Sequence, residues 1–308
     1  MSILDRFRLD GKRLFITGGS RGLGREMAMA IAEVGADVIL TGRDEASLEK
    51  TADDIRALGR EAVSITADIG DPAGCETACK KALADHGPID ILINNVGGRR
   101  VPTPTAEMPL ETWREMIDLN LTSVFLCTKF IGGAMVERGA GGRIINIGSV
   151  NSFVATEGIG GRHYEAAKAA VVNFTRATAV DWAPHAITVN AICPGGFMTE
   201  PNRRWAEEKP DVIEGFKSKV PLGEFGEPED LGPLAVYLAS DAATEVSGQI
   251  FAVRNNEIFL MSQSRPLRSV QRSEGWDPET ISTHAIPALS AHFFPLDRSQ
   301  DVFDWDPV

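Results

Sequence analysis

The fold is decided by residues 12–40, which read KRLFITGGSRGLGREMAMAIAEVGADVIL. A short apolar run, Lys12–Thr17, ends at a glycine-rich turn and predicts a buried strand. The turn opens a segment with apolar residues at helical spacing, and Asp37–Leu40 predicts a second strand. Glycines let the main chain approach a pyrophosphate, and a helix amino terminus offers free N–H groups and a positive dipole end. The stretch therefore predicts a strand–turn–helix–strand unit that binds a dinucleotide.

The same alternation of strands and helices continues to about residue 253. It predicts an α/β, Rossmann-type, doubly wound parallel sheet in a single domain, residues 1–253, with right-handed crossovers. The further strands predicted are Ala62–Thr66, Ile89–Ile93, Arg143–Ile147, Thr188–Ala191 and Gln249–Val253, and the further helices are Leu110–Val136, Glu165–Trp182 and Pro228–Ala239. Ligands of such sheets bind beyond the carboxyl ends of the strands. The residues expected at those ends are Gly18, Asp68, Asn94, Ser149 and Pro194.

Composition narrows the class of protein. The chain has 308 residues, 43% hydrophobic, and a formal net charge of -12, which argues against nucleic acid as a partner. Its amino terminus has no apolar run long enough for a signal peptide or membrane span, so a soluble cytoplasmic protein without a membrane partner is expected. Cys75 and Cys79 share a helix face and could in principle be ligands, but core packing is favoured and no metal site is predicted.

Tyr164 and Lys168 stand four residues apart on a predicted helix and project from the same face. A buried ammonium group beside a phenol stabilises the phenolate, which would let the tyrosine exchange protons closer to neutral pH. This spacing alone also fits an ordinary solvated helix face. The surrounding motifs decide between the two interpretations.

Taken together, the motifs resemble those of the short-chain dehydrogenase/reductase family from about Leu9 to Val253. The resemblance rests on the turn Thr17-Gly18-x-x-x-Gly22-x-Gly24, on Asn94-Asn95-Val96-Gly97, on Asn120, Ser149, Tyr164 and Lys168, and on Pro194-Gly195-Gly196-Phe197-Met198-Thr199. Valine replaces the usual alanine in the second motif.

The resemblance implies catalytic roles for four of these residues. Tyr164 would be the general acid or base, and Lys168 would lower its pKa and bind the nicotinamide ribose. Ser149 would orient the substrate, and Asn120 would hold a water molecule that relays protons. The implied cofactor-binding residues are Gly18, Ser20, Arg21, Gly22, Leu23, Gly24, Arg43, Asp68, Ile69, Asn95, Gly97, Tyr164, Lys168, Pro194, Gly195, Phe197 and Thr199.

The cofactor expected is NADP, with NAD as an alternative. NAD-binding members carry an acidic residue after the second strand, where it binds the ribose 2′-hydroxyl. Here that place is Gly42, followed by Arg43, and Arg21 lies in the glycine-rich turn. Two guanidinium groups favour a 2′-phosphate.

The substrate is less constrained. The resemblance is strongest to sugar and sugar-acid dehydrogenases such as the gluconate 5-dehydrogenase group, acting on a secondary alcohol or ketone. The alternatives are a 3-oxoacyl-thioester reductase of the same family and a non-catalytic cofactor-binding regulator or scaffold. Arg99, Arg100, Asn151, His163 and Trp205 are the candidate substrate residues, and residues 197–219 are expected to form a lid. A dimer or tetramer is expected from the resemblance.

The carboxyl end departs from the family. After Val253 the family pattern reads Asp-Gly-Gly and stops, whereas this chain continues with Arg254-Asn255-Asn256 and runs to residue 308. Prolines and little periodicity predict an irregular extension, residues 254–308. Its large apolar residues, Phe293, Phe294, Phe303 and Trp305, suggest packing on its own or a neighbouring subunit. The alternative is a change of reading frame that replaced the usual end, and the sequence does not decide between the two.

Overall fold

A computed structural model describes residues 3–98, 101–155, 161–208, 211, 214, 217 and 224–297. Its centre is one eight-stranded sheet with the order β3-β2-β1-β4-β5-β6-β7-β8. The strands are β1 (Arg13–Thr17), β2 (Asp37–Gly42), β3 (Ala62–Thr66), β4 (Ile91–Asn94), β5 (Gly142–Ile147), β6 (Ile187–Pro194), β7 (Ile250–Arg254) and β8 (Glu257–Leu260). The first seven strands are parallel, and β8 pairs with β7 in the antiparallel direction. The predicted doubly wound α/β fold is thereby confirmed.

Helices cover both faces of the sheet. They are α1 (Gly22–Glu33), α2 (Glu45–Ala57), α3 (Pro72–His86), α4 (Leu110–Arg138), α5 (Arg162–Trp182), α6 (Glu200–Glu208) and α7 (Gly232–Ala239). The helices α1 and α7 pack on one face of the sheet, in a core cluster that includes Leu14, Met27 and Leu238. The helices α3 and α4 pack on the other face, with Phe15, Ala78 and Ile131. Both faces are apolar, as a parallel sheet covered on each side requires.

Helix α4 contains two π-helical turns, Asp118–Thr122 and Thr128–Gly132. By length and composition, α4 is the one helix in the described part of the chain that could cross a membrane, and half of its most apolar window is buried. Because that buried half packs against the sheet and α3, we assign α4 to the core of this fold.

The sheet continues past the predicted end of the family-like region. Asn255, with φ of 52°, turns the chain after β7, and β8 then runs back along it with Val253 opposite Ile258. Phe259 is buried in a cluster with Ala252 and Cys193. No sequence pattern predicted this strand. Further along, Pro278–Thr280, Ile281–Ala285 and Ile286–Ser290 form a short helical segment.

Candidate active site

The glycine-rich turn leaves β1 and enters α1 in a conformation that only small residues allow. Gly18 and Gly22 have φ of +70° and +56°, values that residues with a Cβ rarely adopt. A Cβ on Gly24 would lie 2.2 Å from the carbonyl oxygen of Gly18, so the turn packs directly on the first helical residues. Arg21 stands directly before α1, and its side chain makes no capping hydrogen bond to the helix. The free N–H groups of this helix start fit the phosphates of a dinucleotide.

Asn95 fixes the turn against β4. Its side-chain Nδ2 donates to the carbonyl oxygens of Thr17 at 2.9 Å and Gly18 at 3.2 Å. The hydroxyl of Thr17 in return accepts the main-chain N–H groups of Asn95 and Val96, each at 2.9 Å. Asn95 therefore holds the shape of the turn, a positioning role that the family motif alone did not specify.

The region after β2 carries the charge pattern expected for a 2′-phosphate. A Cβ on Gly42 would lie 3.5 Å from the hydroxyl of Ser20, so the end of β2 adjoins the turn. Arg43 is exposed and lies 3.9 Å from Asp68, and Arg21 lies 3.6 Å from Glu200.

The nearby carboxylate of Asp44 is occupied in another way. It accepts the N–H of Ser47 at 2.8 Å and caps α2. That hydrogen bond is the main cause of the lowered pKa of Asp44, and the charge of Arg21 lowers the pKa further. A carboxylate used as a helix cap is not directed at a ribose 2′-hydroxyl, so Asp44 does not replace the acidic residue that is missing at Gly42.

Lys168 and Asn120 meet at Gly97. A Cβ on Gly97 would lie 2.8 Å from Lys168 Nζ and 2.8 Å from Asn120 Oδ1. Both side chains are buried. Asn120 receives the N–H of Gly98 at 2.9 Å and donates to the carbonyl oxygens of Gly98 at 3.1 Å and Met116 at 3.0 Å. Asn120 lies in the first π-helical turn of α4, and such turns are frequent at functional sites.

Lys168 extends from α5 to the end of β5. Its Nζ donates to the carbonyl oxygen of Ile147 at 2.7 Å. Burial lowers the pKa of Lys168 from 10.5 to about 8, because a charged ammonium loses its hydration there. The same amine thus reaches the strand that ends two residues before Ser149.

Tyr164 lies one turn before Lys168 on α5 and is half-buried, so the two side chains leave the helix from the same face. Ser149 follows β5, and its Oγ accepts the N–H of Asn151 at 3.1 Å. Of the four predicted catalytic residues, Lys168 and Asn120 meet at Gly97, and Lys168 is bonded to the end of the strand that leads to Ser149. The catalytic roles of all four residues stay predictions.

A buried amide network sets the register of α5 on the sheet. Asn94 Nδ2 donates to Asn146 Oδ1 at 2.8 Å, and Asn146 Nδ2 donates to Thr175 Oγ1 at 2.9 Å. The first two residues are paired between β4 and β5, and Thr175 is on α5. Sequence reasoning did not find this network, although three polar residues in apolar segments were a visible signal.

Several predicted cofactor residues lie around the same edge. Thr199 adjoins the glycine-rich turn, because a Cβ on Gly22 would lie 3.7 Å from its methyl group. Pro194 ends β6, and the N–H of Gly195 bonds to the carbonyl oxygen of Val253 at 2.8 Å. The side chains of Ile69 and Phe197 are instead buried in the two main core clusters. These two residues could offer a cofactor their main chain.

The candidate substrate residues are placed unevenly. Asn151 lies two residues after Ser149 and its N–H donates to the Ser149 Oγ, and Trp205 is half-buried on α6. His163 is 1% exposed and lies beneath Gly161, so it does not line an open mouth. Phe197 is also 1% exposed, packed against Gly226, and it cannot close over the pocket as the predicted lid required. Arg99 and Arg100 lie outside the described residues, as does much of the predicted lid.

Comparison with known proteins decides the family. The family model for short chain dehydrogenases matches residues 12–210. The chain belongs to the short-chain dehydrogenase family. The predicted family and oxidoreductase class are thereby confirmed. A 2-dehydro-3-deoxy-D-gluconate 5-dehydrogenase of Dickeya dadantii is 38% identical over 82% of the chain and 97% of its own length.

Two further short-chain dehydrogenases extend the comparison. A 3-oxoacyl-[acyl-carrier-protein] reductase of Escherichia coli is 36% identical over 82% of the chain and 99% of its own length. The crystal structure of a gluconate 5-dehydrogenase from Burkholderia cenocepacia, in complex with NADP and tartrate, matches with a TM-score of 0.76 at 35% identity, covering 83% of this chain and 98% of that one. The chain covers nearly the whole length of these relatives.

Proposed function

We propose that this oxidoreductase interconverts a secondary alcohol and a ketone on a sugar acid or similar polar compound, with NADP as its cofactor. The observation that carries the proposal is the convergence of Lys168 and Asn120 on Gly97, next to Ser149 and one turn from Tyr164. A buried amine, a phenol and a hydroxyl at one sheet edge are suited to moving a proton at a substrate oxygen.

The roles of the residues follow from this geometry. Tyr164 donates a proton to, or removes one from, the substrate oxygen, while the Ser149 hydroxyl holds that oxygen by a hydrogen bond. Lys168 stabilises the phenolate form of Tyr164 through its charge and is held in place by Ile147. Asn120 orders the main chain at Gly98 and, we propose, a water molecule that exchanges protons with Lys168. The bound nicotinamide supplies the hydride chemistry.

The choice of NADP rests on charge. Arg21 and Arg43 flank the end of β2, and Gly42 stands where NAD-binding members carry a carboxylate. The absent carboxylate and two exposed guanidinium groups favour a phosphate on the ribose. The relative from Burkholderia cenocepacia that was crystallised with NADP supports the same choice. We propose Arg43 and Arg21, with Ser20, as the residues that contact the 2′-phosphate.

The proposed substrate class rests on the named relatives, which include a dehydrogenase of a deoxygluconate. Asn151 and Trp205 are the described residues proposed to contact it, while Arg99 and Arg100 are proposed from the sequence. A 3-oxoacyl-thioester reductase is the second candidate, because a relative with that activity is nearly as similar to this chain.

Homo-oligomerisation in the cytoplasm is part of the proposal. Large apolar side chains on α4 and α5 are exposed, among them Phe125 at 47% and Val180 at 76%. Exposed apolar residues on long helices suit a subunit contact. Size-exclusion chromatography with light scattering on Phe125→Asp tests this. The proposal predicts a smaller assembly than the wild type, and an unchanged mass contradicts this contact.

The central experiment measures NADPH and NADH oxidation against a panel of keto sugar acids, keto sugars and 3-oxoacyl thioesters. Tyr164→Phe should lower kcat by about 10² to 10⁴-fold while NADPH binding stays within the wild-type range. Tyr237→Phe is the matched control, because Tyr237 is the chain's other tyrosine and packs on the core from α7. Turnover of thioesters alone would favour the second candidate. If wild type and Tyr164→Phe bind NADPH but are equally inert toward the whole panel, the enzyme proposal fails in favour of a scaffold.

A further inference from the structure

Three cysteines from two helices meet in the core beneath the sheet. Cys75 and Cys79 are one turn apart on α3, and Cys127 comes from α4. Cys127 Sγ lies 3.5 Å from Cys75 Sγ and 3.7 Å from Cys79 Sγ, and all three sulfurs lie within 4.8 Å of one another. The sequence placed the first two on one face; the fold adds the third from 48 residues away.

The spacing of the sulfurs fits one central atom. With a metal–sulfur bond of about 2.3 Å, three sulfurs around one trigonal ion lie about 4 Å apart. The two shorter sulfur–sulfur distances, 3.5 Å and 3.7 Å, lie slightly below that value, and the third is no more than 4.8 Å. Among the residues that the structure describes, this group of three is the one set of cysteine, histidine and acidic side chains spaced to hold an ion. A donor set of thiols alone selects a soft, thiophilic ion.

The surroundings of the three thiols favour an uncharged complex over an anionic one. The three thiols are fully buried in a cluster with Phe15, Ile69 and Ala82. The charged groups that act on Cys75 are the carboxylates of Asp71 and Glu76. A buried complex with net negative charge would lose hydration and be repelled by these carboxylates. Zinc or copper(I) with three thiolates is anionic, whereas a trivalent ion with three thiolates is neutral.

We propose that Cys75, Cys79 and Cys127 form a binding site for a trivalent thiophilic metalloid, with arsenite as the probe. Each thiol gives its proton to one hydroxyl group of arsenous acid, and that hydroxyl leaves as water. A sulfur–arsenic bond replaces each oxygen–arsenic bond. Arsenic stays trivalent, nothing is oxidised or reduced, and the product is uncharged. The site lies apart from the catalytic edge, although α4 carries both Cys127 and Asn120.

Binding would join α3 to α4 at one point. The site has no exposed sulfur, so entry requires a local opening of α3 from α4 and uptake should be slow. Once bound, the ion would stabilise the folded chain, since the unfolded chain does not hold the three thiols together.

The test uses the full chain, kept reduced with a phosphine, and prolonged incubation with sodium arsenite. Native mass spectrometry should show one bound arsenic with the loss of three hydrogens, and the melting temperature should rise. X-ray absorption at the arsenic edge should show three sulfur neighbours and no oxygen. Because the remaining cysteine, Cys193, lies in a different cluster, one arsenic per wild-type chain with three sulfur neighbours identifies this site without any variant.

Variants then assign the ligands. Cys75→Ala, Cys79→Ala and Cys127→Ala should each lose uptake at the arsenite concentration that saturates the wild type. Cys193→Ala is the matched control, equally buried but outside the cluster, and should bind like the wild type. No uptake by the wild type, or oxygen in the first coordination shell, overturns the proposal. Arsenite uptake by the three variants at the wild-type level also overturns the proposal.

Discussion

Lys168 Nζ donates a 2.7 Å hydrogen bond to the carbonyl oxygen of Ile147. This bond spans from the middle of α5 to the last residue of β5, so it ties the helix that carries Tyr164 to the strand that leads into Ser149. A buried amine held by one carbonyl oxygen is fixed in direction but not neutralised, and it can act on a phenol one turn away. The following predictions test this arrangement and its surroundings.

The pKa of Lys168 should be visible in the pH dependence of stability. Burial lowers that pKa to about 8, so between about pH 8 and 10.5 the unfolded chain holds a proton that the folded chain has released. Stability therefore rises with pH through this window. The shift corresponds to about 3 kcal/mol. Urea unfolding of wild type and Lys168→Met should show their difference changing by that order from pH 7.5 to 10.5. If the difference in unfolding free energy between the two proteins does not change with pH, the lowered pKa of Lys168 is contradicted.

Catalysis should depend on the charged form of the same amine. As pH rises through about 8, Lys168 loses the proton that stabilises the Tyr164 phenolate. Lys168→Met should lower kcat by about 10²-fold or more and remove any step in the pH–rate profile that belongs to this group. Steady-state kinetics between pH 6 and 10, at saturating cofactor, measures both effects. A variant that keeps the same profile at lower rate would assign the step to another residue.

The contact at Gly97 predicts a sharp steric effect. In Gly97→Ala the new methyl group would meet Lys168 Nζ and Asn120 Oδ1, each at 2.8 Å, and both side chains would have to move. A displacement of about 1 Å can lower a rate by about 10²-fold, so kcat should fall by that order with little change in fold. Gly133→Ala is the control on α4, since a methyl group there meets nothing within 4 Å. Equal rates in the two variants would contradict the geometry.

A substitution at the end of β2 should shift the cofactor preference from NADP toward NAD. A Cβ on Gly42 would make only ordinary contacts with Leu48 and Ser20, at 3.4 Å and 3.5 Å, so Gly42→Asp should fold. Its carboxylate would repel a 2′-phosphate and accept a ribose hydroxyl. We expect kcat/KM for NADPH to fall by about 10 to 100-fold relative to NADH, the worth of one or two charge-assisted hydrogen bonds.

Arg43→Ala should weaken NADPH selectively in the same assay. Arg8→Ala is its control, because Arg8 is an exposed arginine that pairs with Asp10 before β1. An unchanged ratio of the two cofactors in Gly42→Asp and Arg43→Ala would place the 2′-phosphate elsewhere.

The added strand should contribute to global stability. Phe259 is 8% exposed and packs with Ala252 and Cys193, whereas its neighbour Ile258 is 58% exposed. Phe259→Ala should lower the free energy of unfolding by about 3 kcal/mol or more, and Ile258→Ala should change it by less than about 1 kcal/mol. Urea denaturation at equilibrium compares them. Equal effects would mean that β8 does not pack on the sheet in solution.

Much of this fold could be read from sequence because its signals are local. The glycine-rich turn, the strand–helix alternation and the spacing of Tyr164 and Lys168 each depend on neighbouring residues. What escaped depends on distant ones. Cys127 joins Cys75 and Cys79 only when α4 packs on α3, and Phe197 is buried because Gly226 leaves room for its ring. His163 also gave no sequence signal of its burial.

The carboxyl-terminal boundary shows another reason for such limits. Glu257–Leu260 is too short for alternation to mark it as a strand, and its partner is β7 itself. The division into residues 1–253 and 254–308 stays a prediction, although β7 runs through that boundary to Arg254.

The hairpin of β7 and β8 also bears on how the chain folds. Every other strand pairing in this sheet joins segments separated by a crossover, which makes such contacts slow to form. The turn at Asn255 instead joins adjacent segments, and hairpins close in about 1 to 10 μs. β7 can therefore acquire a partner before it docks on β6. We expect the last parallel strand to be added as a preformed pair, which shields one of its edges from other chains during folding.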